Sequence, residues 1–131
     1  MDNLKNWGIH YITKRYMAPH DAVMFDIDDT LIFTSGHSNT PIIELLNKAH
    51  KMGYKIVIIT ARPGIEPMIQ WTIRQLGEYK IRYDYLGFTS PETKDTMKRS
   101  LPYHFVLSVG DIPTDLTASD HFLNISNFSH N

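Results

Sequence analysis

With 131 residues, 42% of them apolar and 21% charged, the chain has the make-up of one ordinary globular domain, and a formal charge of −1 gives no basic footprint for nucleic acid. The absence of cysteine excludes disulfides, thiolate metal sites and thiol catalysis. No stretch approaches the ~18 apolar residues of a membrane span. The N-terminus shows no secretory pattern either, so a cytoplasmic protein with no membrane partner is expected.

Taken in chain order, residues 3–17 predict a helix weakened by Gly8, so that residues 1–20 form a helical segment packed on the rest. Residues 21–27 read as a strand that is apolar on both faces, the pattern of a buried parallel strand. The polar loop 33–40 follows, with Thr40 as N-cap, Pro41 as the first helical residue and Gly53 as the stop of a helix. The β-branched run 54–60 predicts a second strand. A helix over 65–76 should turn Ile65, Ile69, Ile73 and Leu76 inward and end at Gly77. A strand near 83–88, a helix near 92–100 and strands at 103–109 and 121–125 complete the series. Alternation of this kind predicts an α/β fold of right-handed βαβ units: a three-layer, Rossmann-like parallel sheet of about five strands flanked by helices. Residues 1–131 are expected to form a single domain.

The strand ends carry the chemistry. The first apolar strand runs into Asp26, Asp28 and Asp29, although two carboxylates ~4 Å apart repel by roughly 4 kcal/mol at an effective dielectric of ~20. In open parallel sheets ligands sit beyond the carboxyl ends of the strands. There the first strand delivers Asp26 and Asp28, the second Thr60 and Arg62, and the fourth Asp111 with Asp115 close behind. Four acids on one rim, with no cysteine and no paired histidines, call for a hard cation held by oxygen, and Mg²⁺ leads. Thr60 offers a hydroxyl, and Lys94 or Lys98 of "TKDTMKRS" a cation for phosphate. Simpler roles stand beside these: Thr60 as a helix cap, Arg62 as a surface residue, and His37 as part of a plain loop tip.

"DIDDT" (26–30), the "IIT" ending at Thr60, a lysine near 94 and "GDIPTD" (110–115) resemble, in order, the motifs of the haloacid dehalogenase superfamily of phosphohydrolases. "FDIDDTLIF", "ITARP" and "GDIPTDLTASDHFLNISN" are similar to its class B and plant vegetative-storage-protein acid phosphatases. The resemblance implies Asp26 as nucleophile, Asp28 as general acid/base, and Thr60 and Lys94 as ligands of the transferring phosphoryl group. It also implies Mg²⁺ held by the side chains of Asp26 and Asp111 and the backbone carbonyl of Asp28, with Asp115 supporting the metal shell. The expected activity is a Mg²⁺-dependent phosphomonoesterase working through an aspartyl-phosphate. Its partner would be a phosphorylated substrate, such as a nucleotide or an exposed phosphate on a macromolecule.

Neither gap between the motifs holds the roughly 50 residues of an independent domain, so a capless enzyme is expected, with an open site covered by the 33–40 loop, the N-terminal segment or another subunit of a homo-oligomer. A receiver-type phosphoacceptor domain shares the fold class, the acids and the lysine. It places its phosphorylated aspartate after the third strand and its lysine last, an order this chain does not follow. A catalytically weakened relative kept for binding is the remaining alternative.

Overall fold

The computed structural model describes residues 1–130. Its centre is a six-stranded sheet in the order β3-β2-β1-β4-β5-β6. Strands β1 (Asp21–Phe25), β2 (Lys55–Thr60), β3 (Tyr85–Phe88), β4 (His104–Gly110) and β5 (His121–Asn124) are parallel. A short β6 (Ser129–His130), which the sequence pattern did not announce, closes one edge antiparallel to β5. Order reverses between β1 and β4, the point where such sheets open a crevice at their carboxyl ends.

Helices cover both faces, as right-handed crossovers require. On one side α1 (Asp2–Thr13) and α2 (Thr40–Met52) pack Leu4, Ile12, Ile42, Leu45, Leu46 and Ala49 against Val23, Phe25, Ile56 and Ile58, with Leu76 of α3 (Glu66–Glu78). On the other, Ala22, Met24, Val57, Ile59 and Phe105 form a smaller core with Met97 of α4 (Lys94–Ser100). A bulge inserts Val106 into β4 between the partners of Ala22 and Val23, which lets Val106 and Leu107 both join the larger core.

Several elements differ in detail from expectation. The first helix ends at Thr13 rather than near 17, because Arg15 leaves it to pair with Asp21 at 2.6 Å and Asp21 closes the turn through the Ala18 N–H. Gly8 serves that helix: a Cβ there would lie 2.5 Å from Leu45 Cδ2, so its absence lets α1 seat on α2. The N-cap position of α2 is Asn39, not Thr40, and the Asn39 amide is committed to the Thr30 carbonyl at 2.8 Å. In α3 the buried stripe is Thr72 and Leu76, while Ile65 and Ile73 face solvent and the helix runs through Gly77 to Glu78. The predicted helix at 92–100 begins as a 3₁₀ turn over Pro91–Thr93. No helix among the described residues is long and apolar enough to cross a membrane.

Only a loop separates β1 from α2, and only α3 with its flanking turns separates β2 from β3. The loop is not a free tip. Phe33 N–H donates to the His37 carbonyl at 2.8 Å, Gly36 turns back with φ of +92°, and the Tyr79 hydroxyl of the segment after α3 donates to the Gly36 carbonyl.

Candidate active site

The rim is built by the ends of β1 and β4. Asp26 prolongs their pairing by donating its N–H to the Val109 carbonyl at 3.0 Å, which sets its side chain in the crevice, nearly buried. β4 then ends at Gly110, and the chain folds through the one-turn helix α5 (Pro113–Leu116) so that Asp115 comes back beneath Asp111. One Asp115 oxygen accepts the N–H groups of Asp111 (3.2 Å) and Ile112 (3.1 Å). A Cβ at position 110 would stand 2.3 Å from Asp115 Cβ, so glycine is what allows this return.

Lys94, at the start of α4, projects into the same space. Its ammonium donates to Asp26 Oδ1 at 2.9 Å and to Asp115 Oδ1 at 2.7 Å, with both Lys94 and Asp115 fully buried. Burial opposes the Lys94 charge, but Asp26 and Asp115 outweigh it and hold its pKa above the ordinary lysine value. Burial first, and then the like charge of Asp115, pushes Asp26 well above the usual carboxylate range, against the pull of Lys94. Asp115 is raised as well, mainly by burial. Carboxylate oxygens of Asp26, Asp111 and Asp115 all lie within 4.8 Å of one another. One lysine cannot neutralise this group, and an all-oxygen set of this spacing fits a hard divalent ion.

Asp28 stands apart from that cluster. Its half-exposed carboxylate forms a two-pronged ion pair with Arg62, Nε to Oδ2 at 3.0 Å and Nη2 to Oδ1 at 2.8 Å. Arg62 is itself held by Thr72 Oγ1 at 3.1 Å and lies 5.0 Å from the Trp71 ring centre. Arg62, read from the sequence as a surface residue, is instead paired and largely covered. Trp71 and Trp7 are both exposed. Thr60 is fully buried and accepts the Arg62 N–H at 3.1 Å, a local turn rather than a cap on α3, whose N-cap position is Ile65. That bond uses the Thr60 oxygen as acceptor and leaves its proton to donate.

The six site residues singled out in the sequence thus form two adjoining groups on one edge: Asp26, Lys94, Asp111 and Asp115 around a common point, and Asp28 joined to Thr60 through Arg62. Lys98 takes a different place. Its buried ammonium donates to Ser108 Oγ (2.8 Å), the Asp115 carbonyl (2.9 Å) and the Thr117 carbonyl. The sequence reading missed the supports, Thr72 and Trp71 under Arg62 and Gly110 under Asp115. The glycine before the last acid motif was the one available signal.

A doubly wound α/β domain with an acid-and-lysine rim at its switch point is the class that this fold and site define. Residues 23–83, just under half of the chain, match the family model of haloacid dehalogenase-like hydrolases. Over that stretch, which runs from β1 to just before β3, the chain is similar to the haloacid dehalogenase-like hydrolases. No curated protein matches the sequence. Among solved structures, a Pnkp1/Rnl/Hen1 complex superposes with a TM-score of 0.63 at 22% identity, covering 79% of this chain and 43% of that one. The class C acid phosphatase from Bacillus anthracis superposes with a TM-score of 0.67 at 17% identity, covering 89% and 65%. At these identities the likeness is one of fold. The chain spans less than half of the first of these proteins and about two-thirds of the second.

Proposed function

We propose that the protein is a Mg²⁺-dependent phosphomonoesterase acting through an aspartyl-phosphate. The observation that carries the reading is the convergence of Asp26, Lys94, Asp111 and Asp115 at one point of the rim, with Asp28 two residues from Asp26 on the solvent side. Asp26 is the nucleophile: its carboxylate oxygen attacks phosphorus in line with the ester oxygen, forming the acyl phosphate as the P–O bond to the leaving group breaks. Lys94 and the Thr60 hydroxyl donate to the phosphoryl oxygens as their charge shifts. Asp28 gives a proton to the departing alkoxide and then takes one from the water that hydrolyses the acyl phosphate. Arg62 orients the Asp28 carboxylate for both tasks. Asp26, Asp111 and the Asp28 backbone carbonyl would hold the metal, with Asp115 supporting its shell, and the bound ion would supply charge neutralisation on the phosphoryl oxygens.

With no domain inserted between β1 and α2 or between β2 and β3, the rim of this fold is open, which suits a phosphorylated nucleotide or a phosphate displayed on a larger molecule. The acid phosphatase and RNA repair proteins that share the fold are both consistent with phosphate-ester substrates. Asp26→Asn tests the assignment. Hydrolysis of an aryl phosphate should fall by at least ~10³-fold, because the nucleophile and not a binding contact is lost. Wild-type turnover in that variant would refute it.

A further inference from the structure

We propose, on the strength of the reading above, that Lys98 is a positioning residue that sets the metal-binding turn Asp111–Asp115. Lys94 and Lys98 are one helical turn apart on α4 and share a face. They grip the same residue at its two ends: Lys94 binds the Asp115 carboxylate at 2.7 Å, and Lys98 binds the Asp115 main-chain carbonyl at 2.9 Å. The other Asp115 oxygen carries the backbone N–H of Asp111 and Ile112. The path from the Lys98 ammonium to the Asp111 backbone therefore runs through one residue.

The remaining contacts tell the same story. Lys98 also donates to the Thr117 carbonyl, just past the last turn of α5, and to Ser108 on β4, two residues before Gly110. One atom ties together the helix that carries Lys94, the strand that ends at the rim and the turn that presents Asp111. An ammonium has three protons, and the Ser108, Asp115 and Thr117 oxygens take them, so Lys98 has none left for a substrate phosphate. No carboxylate hydrogen-bonds it. A charge buried in this way, on neutral acceptors alone, is costly to desolvate. A greasy side chain of equal length would fill the space without the cost if packing were the only need.

The test is Mg²⁺ binding to the folded protein by calorimetry, beside the Mg²⁺ dependence of phosphatase activity. Lys98→Met keeps the stem length and removes the donors. Its Mg²⁺ dissociation constant should rise about tenfold, the usual scale for residues that orient metal ligands, while KM for the phosphate ester at saturating Mg²⁺ stays within about twofold. Lys98→Gln, which retains one donor, should give a smaller rise and serves if the methionine variant does not fold. Met97→Ala, on the same helix but unattached to the turn, controls for lost packing and should lower the melting temperature without moving Mg²⁺ affinity. Wild-type affinity in both Lys98 variants, or an equal loss in Met97→Ala, overturns the inference alone. Failure of the wild-type protein to bind Mg²⁺ overturns the functional reading and the inference with it.

Discussion

The rim carboxylates of Asp115, Asp26 and Asp28 differ in how fully they are held, and that sets what each can do. Asp115 is fully engaged, by Lys94 on one oxygen and by two backbone N–H groups on the other, so it can support ligands but has little freedom to attack. Asp26 has Lys94 on one oxygen and Asp111 beside it, and it faces the crevice, which suits a nucleophile. Asp28 is gripped by a guanidinium at the exposed edge, where a leaving group would depart. Gly110 allows the Asp115 arrangement, since a methyl group there would need space that Asp115 Cβ occupies at 2.3 Å. Gly110→Ala should therefore cost about 1–3 kcal/mol from overpacking. It should also lower kcat about a hundredfold, the effect of an ångström-scale shift of catalytic groups. Thermal melts and steady-state kinetics on the one variant check both; an active, wild-type-like protein would refute the packing argument. The acids were legible in the sequence because their spacing is short-range and their strand ends are predictable. The Arg62–Asp28 pair was not, because it joins residues 34 apart and depends on where α3 and the 26–39 loop settle.

Among the elements, the parallel strands were the most readable, each an apolar run bounded by turn residues. The stripe of α3 was misjudged because its isoleucines follow helical spacing without facing the core; the sheet below selects Thr72 and Leu76, and Thr72 is retained as a partner of Arg62. β6 was missed because two residues carry no periodicity, and only pairing with β5 defines them. At the opposite end of the sheet from the rim, β1 and β4 start with an ionic knot. Asp21 joins Arg15 at 2.6 Å and His104 at 2.8 Å, and His104 also meets Asp120 at 2.9 Å. Donating to the carboxylates of Asp21 and Asp120 raises the His104 pKa above its ordinary value. Asp21 is lowered even though burial works the other way, because the Ala18 N–H, His104 and Arg15 outweigh it. The signs then follow from linkage. The His104 contribution is complete below its unfolded pKa and fades as pH rises through the raised folded value; that of Asp21 fades as pH falls through its depressed one. Wild type should thus lose stability relative to His104→Gln as pH climbs from about 6.5 into the alkaline range. Denaturant midpoints for both proteins across that range check this, and parallel curves would refute it.

At the scale of the whole molecule, the sheet concentrates like charge where its strand order reverses, and one buried lysine only partly offsets it. A divalent ion that binds only the folded state should stabilise it, by about 2.7 kcal/mol at a hundredfold excess over its dissociation constant. For a domain of this size that is a rise on the order of 10 °C in melting temperature between chelator and saturating Mg²⁺. Identical melts would remove the metal from the proposed mechanism. The sequence by itself determined the fold class and the identity of the rim acids, because strand and helix periods and the chemistry at strand ends are local properties. Which lysine reaches the acids, and which holds the turn beneath them, was decided only by the tertiary structure. Lys94 and Lys98 lie on one helix face with similar neighbours in the chain, and it is the height at which α4 docks beside β4 that aims the first at carboxylates and the second at carbonyls.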